Sequence, residues 1–128
     1  MFPDWNFPDG RYASNVVTLK MIEFPTSDAE ASAEFFAAAF GLTAIPYGPQ
    51  YTDVPLGGLQ SLGFQGDQRE APSGPLVVLQ TDDLDRERLE IEAAGGVITV
   101  EPFDFPGGRR FHFREPGGSE LAVYVPRE

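Results

Sequence analysis

Few side chains in this 128-residue chain could do chemistry, and they fall on short apolar runs rather than within one motif. There is no Cys, and His112 is the single histidine. His112 stands in Arg110-Phe111-His112-Phe113-Arg114, where the two-residue period of a strand puts it with Arg110 and Arg114 on the face opposite the phenylalanines. The same alternation separates Met21 and Glu23 from Ile22 and Phe24, and Leu76, Val78 and Gln80 from Val77 and Leu79. On the last apolar run it separates Glu120, Ala122 and Tyr124 from Leu121, Val123 and Val125. Glu23, Glu120 and His112 make two carboxylates and one imidazole, the donor set of non-haem iron and zinc sites and also an acid/base set. Either use requires neighbouring strands to bring the three within a few ångström. Glu23 and His112 are the candidate catalytic groups. A lone His between two Phe is more often structural, and Tyr124 reads equally as a packing residue with a polar tip. Arg109 and Arg110 read as rim residues paired with nearby acids, and Phe35-Phe36 as core.

The elements that must position these residues occur twice. Residues 21–28 form an apolar strand running into Asp28, followed by a helical stretch from Ala29 to Phe40 that Gly41 closes. Residues 76–83 repeat the phrase, with Asp82-Asp83 before a helix over 84–94 and Gly95-Gly96 after it. Ser27-Asp28-Ala29-Glu30 fits a capping box, and Gly41 supplies the left-handed residue of a helix end. Ala29, Ala33, Phe36 and Phe40 make one apolar stripe. The second helix is less regular, since Arg88 interrupts the stripe between Leu84 and Ile91 and must cover it with its aliphatic stem. After each helix the chain reads as strands: 43–47, 51–55 and 60–64 in the first half, 97–101, 110–114 and 120–125 in the second. Turns stand at Pro106-Gly107-Gly108 and Pro116-Gly117-Gly118. The expectation is one domain of two β-α-β-β-β modules, 15–65 and 75–126, joined by a linker over 66–74, with a site between the halves. Residues 1–14 carry Phe2, Trp5, Phe7 and Tyr12 and are expected to form an arm ordered by contact.

Composition narrows the functions. A net charge of −11, with the acids scattered along the chain, repels nucleic acid and anionic membrane and favours cationic small molecules. The same charge also serves to keep copies of the protein apart. A cysteine-free chain with neither a signal-like head nor a membrane-length apolar run is expected in the cytoplasm.

The phrase Glu23-Phe24-Pro25-Thr26-Ser27-Asp28, with Ser32-Ala33-Glu34-Phe35-Phe36 and Phe40-Gly41-Leu42 after it, resembles the opening of the vicinal oxygen chelate superfamily: glyoxalases, extradiol dioxygenases and bleomycin-resistance proteins. The second half agrees through Asp82-Asp83-Leu84, Ala93-Ala94-Gly95-Gly96 and Phe113-Arg114-Glu115-Pro116-Gly117-Gly118-Ser119. The resemblance covers about residues 16 to 126. It implies an α+β fold in which paired βαβββ modules curl a mixed β-sheet into a cup, with the helices outside and the ligand within. It also implies a divalent metal in the enzymes, chelating two neighbouring substrate oxygens. The positions matching that family's metal ligands hold Met21, Leu76 and Ala122, none of which offers oxygen or nitrogen to a hard metal. Inside such a cup would lie Met21, Glu23, Gln80, His112, Glu120 and Tyr124, with Tyr47 and Tyr51 at its mouth.

The preferred reading is therefore a small-molecule-binding protein of this type, taking a cationic or aromatic ligand without a cofactor. A second reading is an isomerase, lyase or dioxygenase with a displaced metal or an acid/base site around Glu23. A third is an interaction module with a closed cup and a binding arm. A homodimer is expected in each case, because the edges of such sheets invite pairing.

Overall fold

The structure, a computed structural model, describes residues 17–127; the aromatic arm expected over 1–14 lies outside them. The order of elements is β1 (Thr18–Pro25), α1 (Ala29–Phe40), β2 (Ile45–Pro46), β3 (Tyr51–Pro55), β4 (Ser61–Gln65), β5 (Leu76–Gln80), α2 (Leu84–Ala93), β6 (Val97–Phe105), β7 (Gly108–Arg114) and β8 (Glu120–Pro126). Each half is thus a β-α-β-β-β unit, and the fold is α+β. One mixed sheet joins them in the order β2-β3-β4-β1-β5-β8-β7-β6. Within each half the first strand pairs in parallel with the last, and the halves meet where β1 runs antiparallel to β5.

The repeated Asp does the same work in both copies. The Asp28 carboxylate accepts from the Ala31 N–H at 3.0 Å and the Asp83 carboxylate from the Arg86 N–H at 3.0 Å, capping α1 and α2. The cap of α1 is Asp28 rather than Ser27, so the capping box read over Ser27 to Glu30 does not form; Ser32 is instead tied to the Thr26 hydroxyl at 2.6 Å. Gly41 takes the left-handed conformation with φ 69° and ends α1.

Strand boundaries depart furthest from the expected ones in β2 and β6. The strand read over 43–47 contracts to Ile45–Pro46, a short edge. The strand read over 97–101 continues to Phe105, and the ladder absorbs Pro102, which has no N–H to give, by shifting register between Val100 and Phe103.

Apolar clusters lie on both sides of the sheet. Ala29, Ala33, Val54 and Phe64 form one beneath α1, and Leu84, Phe111, Phe113 and Val123 another beneath α2. On the opposite side Leu76, Val78, Ala122 and Tyr124 cluster, with Met21 and Phe105 packed against them. Phe36 joins the first cluster, whereas Phe35, one position round the helix, is 63% exposed and is not core; Phe40, at the last turn, is 67% exposed, so the apolar stripe stops short of it.

Candidate ligand-binding site

The face of the sheet away from the helices encloses a cavity of about 730 Å³, within the range of about 300 to 1,000 Å³ usual for small-molecule sites. Tyr51 of β3 and Phe103 of β6 both line it. In a flat sheet those strands, six places apart, would be separated by about 29 Å. The sheet must therefore curl. Its interior is open, so a cup closed by its own core side chains, as the interaction-module reading required, is not what the described residues form.

At the centre is an ion pair across the two halves. Glu23 on β1 is 3% exposed, and the Arg110 guanidinium on β7 donates to its carboxylate at 3.3 Å. Burial pushes the Glu23 carboxyl above its ordinary value, and Arg110 only partly offsets this. The guanidinium is held over the rings of Phe103 and Phe105, 5.4 and 5.3 Å from their centroids, which adds cation–π attraction. Arg110, expected at the rim, is instead part of the inner wall of the cavity, where it pairs with Glu23. Arg109 does take the expected place, bonded to Asp104 at 3.0 Å in an exposed pair.

A polar shelf belongs to the first half. Tyr51 and Asp53 on β3 and Ser61 and Gln65 on β4 line the cavity with Lys20 and Met21 of β1. The Tyr51 hydroxyl donates to the Met21 sulfur at 3.8 Å, a weak acceptor. Burial, then the nearby Glu23 charge, push its phenol well up, so it stays a neutral donor. Counting Asp67 and Glu70 at the edge, four carboxylates face two cations, Lys20 and Arg110.

Of the residues singled out from the sequence, Met21, Glu23, Tyr47, Tyr51 and Tyr124 line the cavity, while Gln80, His112 and Glu120 do not. His112 has its ring 6.1 Å from that of Phe103 and its Nδ1 3.8 Å from Glu120, which also accepts from the Thr99 hydroxyl at 2.5 Å. Burial foremost, and then the Arg110 charge, hold the imidazole below its usual range, so it is neutral at neutral pH. Glu23 belongs to Arg110 and Glu120 to Thr99 and His112; the two-carboxylate, one-histidine triad is not assembled. No three His, Cys, Asp or Glu side chains among the described residues are grouped so as to hold a metal.

The positions that the resemblance assigns to metal ligands converge, but as carbon. Leu76 and Ala122 are buried in the inner apolar cluster and Met21 packs against it. One thioether and two hydrocarbons do not fit a hard divalent ion. Sequence reading missed the polar shelf of Lys20, Asp53, Ser61 and Gln65, and on the opposite wall Phe103, Phe105 and Arg110. The alternation in β7 already put Arg110 on the same face as His112, and carrying the β6 alternation past Pro102 would have added the two phenylalanines.

The model of the Glyoxalase/Bleomycin resistance protein/Dioxygenase superfamily matches residues 18–123. The chain is 31% identical over 117 residues to the anthracycline biosynthesis protein DnrV of Streptomyces peucetius, a match taking in 76% of this chain and 42% of that protein. It thus spans about two fifths of the length of that curated relative. Methylmalonyl-CoA epimerase from Mycobacterium tuberculosis superposes with a TM-score of 0.71 at 14% identity, covering 91% of this chain and 93% of that one. The Mn(II)-bound glyoxalase from Novosphingobium aromaticivorans gives 0.65 at 22% identity, over 87% and 40% of the two chains. At such identities the two structures show the fold alone.

Proposed function

The chain belongs to the Glyoxalase/Bleomycin resistance protein/Dioxygenase superfamily, and from that membership we propose that it captures a small, planar, cationic aromatic molecule in its cup without a protein-held metal. The observation that carries this reading is the convergence of Met21, Leu76 and Ala122 into one apolar cluster at the place where family enzymes are expected to present metal ligands. The cavity lies over that cluster, and its own apolar lining is Met21, Val78, Phe103, Phe105 and Tyr124. Such a wall suits a flat apolar ring system.

The charge of the lining supports the choice of ligand. Arg110 is compensated by Glu23 and Asp67 by Arg69, which leaves the acids Asp53 and Glu70 against Lys20. The protein as a whole carries −11, so a cation is drawn toward the cup from a distance. The name of the relative DnrV points the same way, because anthracyclines join a fused aromatic system to an amino sugar. The setting proposed is a reducing cytoplasm and the assembly a homodimer. Among the described residues no helix is long and apolar enough to cross a membrane.

The test is a fluorescence titration of an anthracycline, doxorubicin, with the protein at low and at high ionic strength. Saturable quenching whose affinity falls as salt rises is the expected outcome. No saturable change, or an affinity indifferent to salt, would overturn the proposal.

A further inference from the structure

The cup wall contains one gap that a side chain of a different strand occupies. Gly63 on β4 is buried, and a Cβ built there would overlap the Tyr51 hydroxyl oxygen and the Met21 terminal methyl. The register explains the meeting: Glu23 and Asp53 flank Gly63 on either side, as its pairing partners on β1 and β3. Tyr51 lies two residues from Asp53 on the same face of β3, and its ring reaches back over the glycine. Its hydroxyl therefore rests deep on the shelf, beside Glu23, rather than at the mouth of the cup.

The surroundings of that hydroxyl matter. The Glu23 carboxylate is engaged by Arg110 and the Asp53 carboxylate by Ser61. The Tyr51 hydroxyl donates to a thioether, which returns little of the free energy lost when a donor leaves water. A phenol that stays protonated and is held half-buried against a weak acceptor is a donor in wait of a better one.

We propose that Tyr51, seated in the space left by Gly63, donates a hydrogen bond to a carbonyl oxygen of the captured ring system and so selects a quinone-like ligand over a bare hydrocarbon of the same outline. This rests on the reading of the cup as a site for planar cations. Met21 is then the acceptor that the ligand carbonyl replaces, and Gly63 the positioning residue. The apolar part of the lining, Val78 with Phe103 and Phe105, binds either kind of ring, so the discrimination belongs to the phenol.

The experiment uses two soluble probes of matched shape and charge, 2-(aminomethyl)anthraquinone and 2-(aminomethyl)anthracene, titrated into the protein and into Tyr51→Phe and Gly63→Ala variants whose unfolding transitions are measured in parallel. The wild type should bind the quinone about tenfold more tightly than the hydrocarbon, the size of a hydrogen bond made without a competing strong acceptor. Tyr51→Phe should erase that preference while holding hydrocarbon affinity within about twofold, and Gly63→Ala should reduce it by displacing the phenol. Equal affinity of the wild type for the two probes, or a preference that survives Tyr51→Phe, would overturn the assignment while leaving planar-ligand capture standing. Binding of neither probe would instead remove the capture reading, and this proposal with it.

Discussion

A carboxylate as buried as Glu23 survives in the ionised form only with a partner, and Arg110 is that partner across the joint of the two halves. Replacing Arg110 with Met should therefore destabilise the fold by about 3 kcal/mol near neutral pH in urea unfolding, because a lone buried charge remains. Combining it with Glu23→Leu should restore most of that loss. The penalty of Arg110→Met alone should shrink as pH falls. The Glu23 carboxyl is raised in the folded protein above its ordinary 4.5, so its stabilising protonated form is fully present below that value and is lost as pH rises through the raised one. A cost that stays constant with pH, or that is negligible at neutral pH, would show that the pair is solvated. How far these residues could be read from sequence depends on what a two-residue period can encode. It placed Glu23 and Tyr124 on the inner face, where the structure has them. It could not say how far along the curved strands the cavity extends, which is why His112, Glu120 and Gln80 share the face but not the lining.

Helix ends were the most legible elements, since a cap is a local interaction between neighbours in sequence. Asp28 and Asp83 occupy equivalent caps at the same 3.0 Å distance, and each substitution to Ala should cost about 1 kcal/mol in denaturant unfolding. Gly41→Ala should cost a similar amount, about 1 kcal/mol, from the left-handed backbone alone, because open space surrounds its missing side chain. A neutral Asp83→Ala would contradict the reading of the repeated strand-Asp-helix phrase as a capping signal. Strand ends were harder. Pro102 looks like a terminator in sequence, yet as part of an outer strand it needs no ladder partner on its free side, and β6 runs on through Phe103 and Phe105 to complete the cavity. Phe40 was misplaced for a related reason. The helical period marks it as part of the buried stripe, but α1 buries Ala29 and Ala33 at its start and leaves the sheet by its last turn.

The mirror-like strand order puts the antiparallel β1–β5 joint at the centre and leaves β2 and β6 as the outer strands. Two outer strands, with Phe35 and Phe40 exposed on α1 and Val97 on β6, give the apolar surface expected of a self-associating protein, and light scattering should report a dimer. A monomer across the accessible concentration range would contradict it. The duplication itself, the curled sheet and the absence of ligating side chains at Met21, Leu76 and Ala122 were legible from residue order. The ion pair at its centre was not, because Glu23 and Arg110 are 87 positions apart and meet only when the sheet bends. The central claim is that this cup binds its ligand with hydrocarbon and side-chain hydrogen bonds where family enzymes use a metal. The most direct measurement is the affinity for doxorubicin of protein dialysed against a strong chelator, compared with the same protein after adding Mn²⁺ or Zn²⁺. The account predicts the same dissociation constant in both samples; binding that vanishes with the chelator and returns with the metal would contradict it.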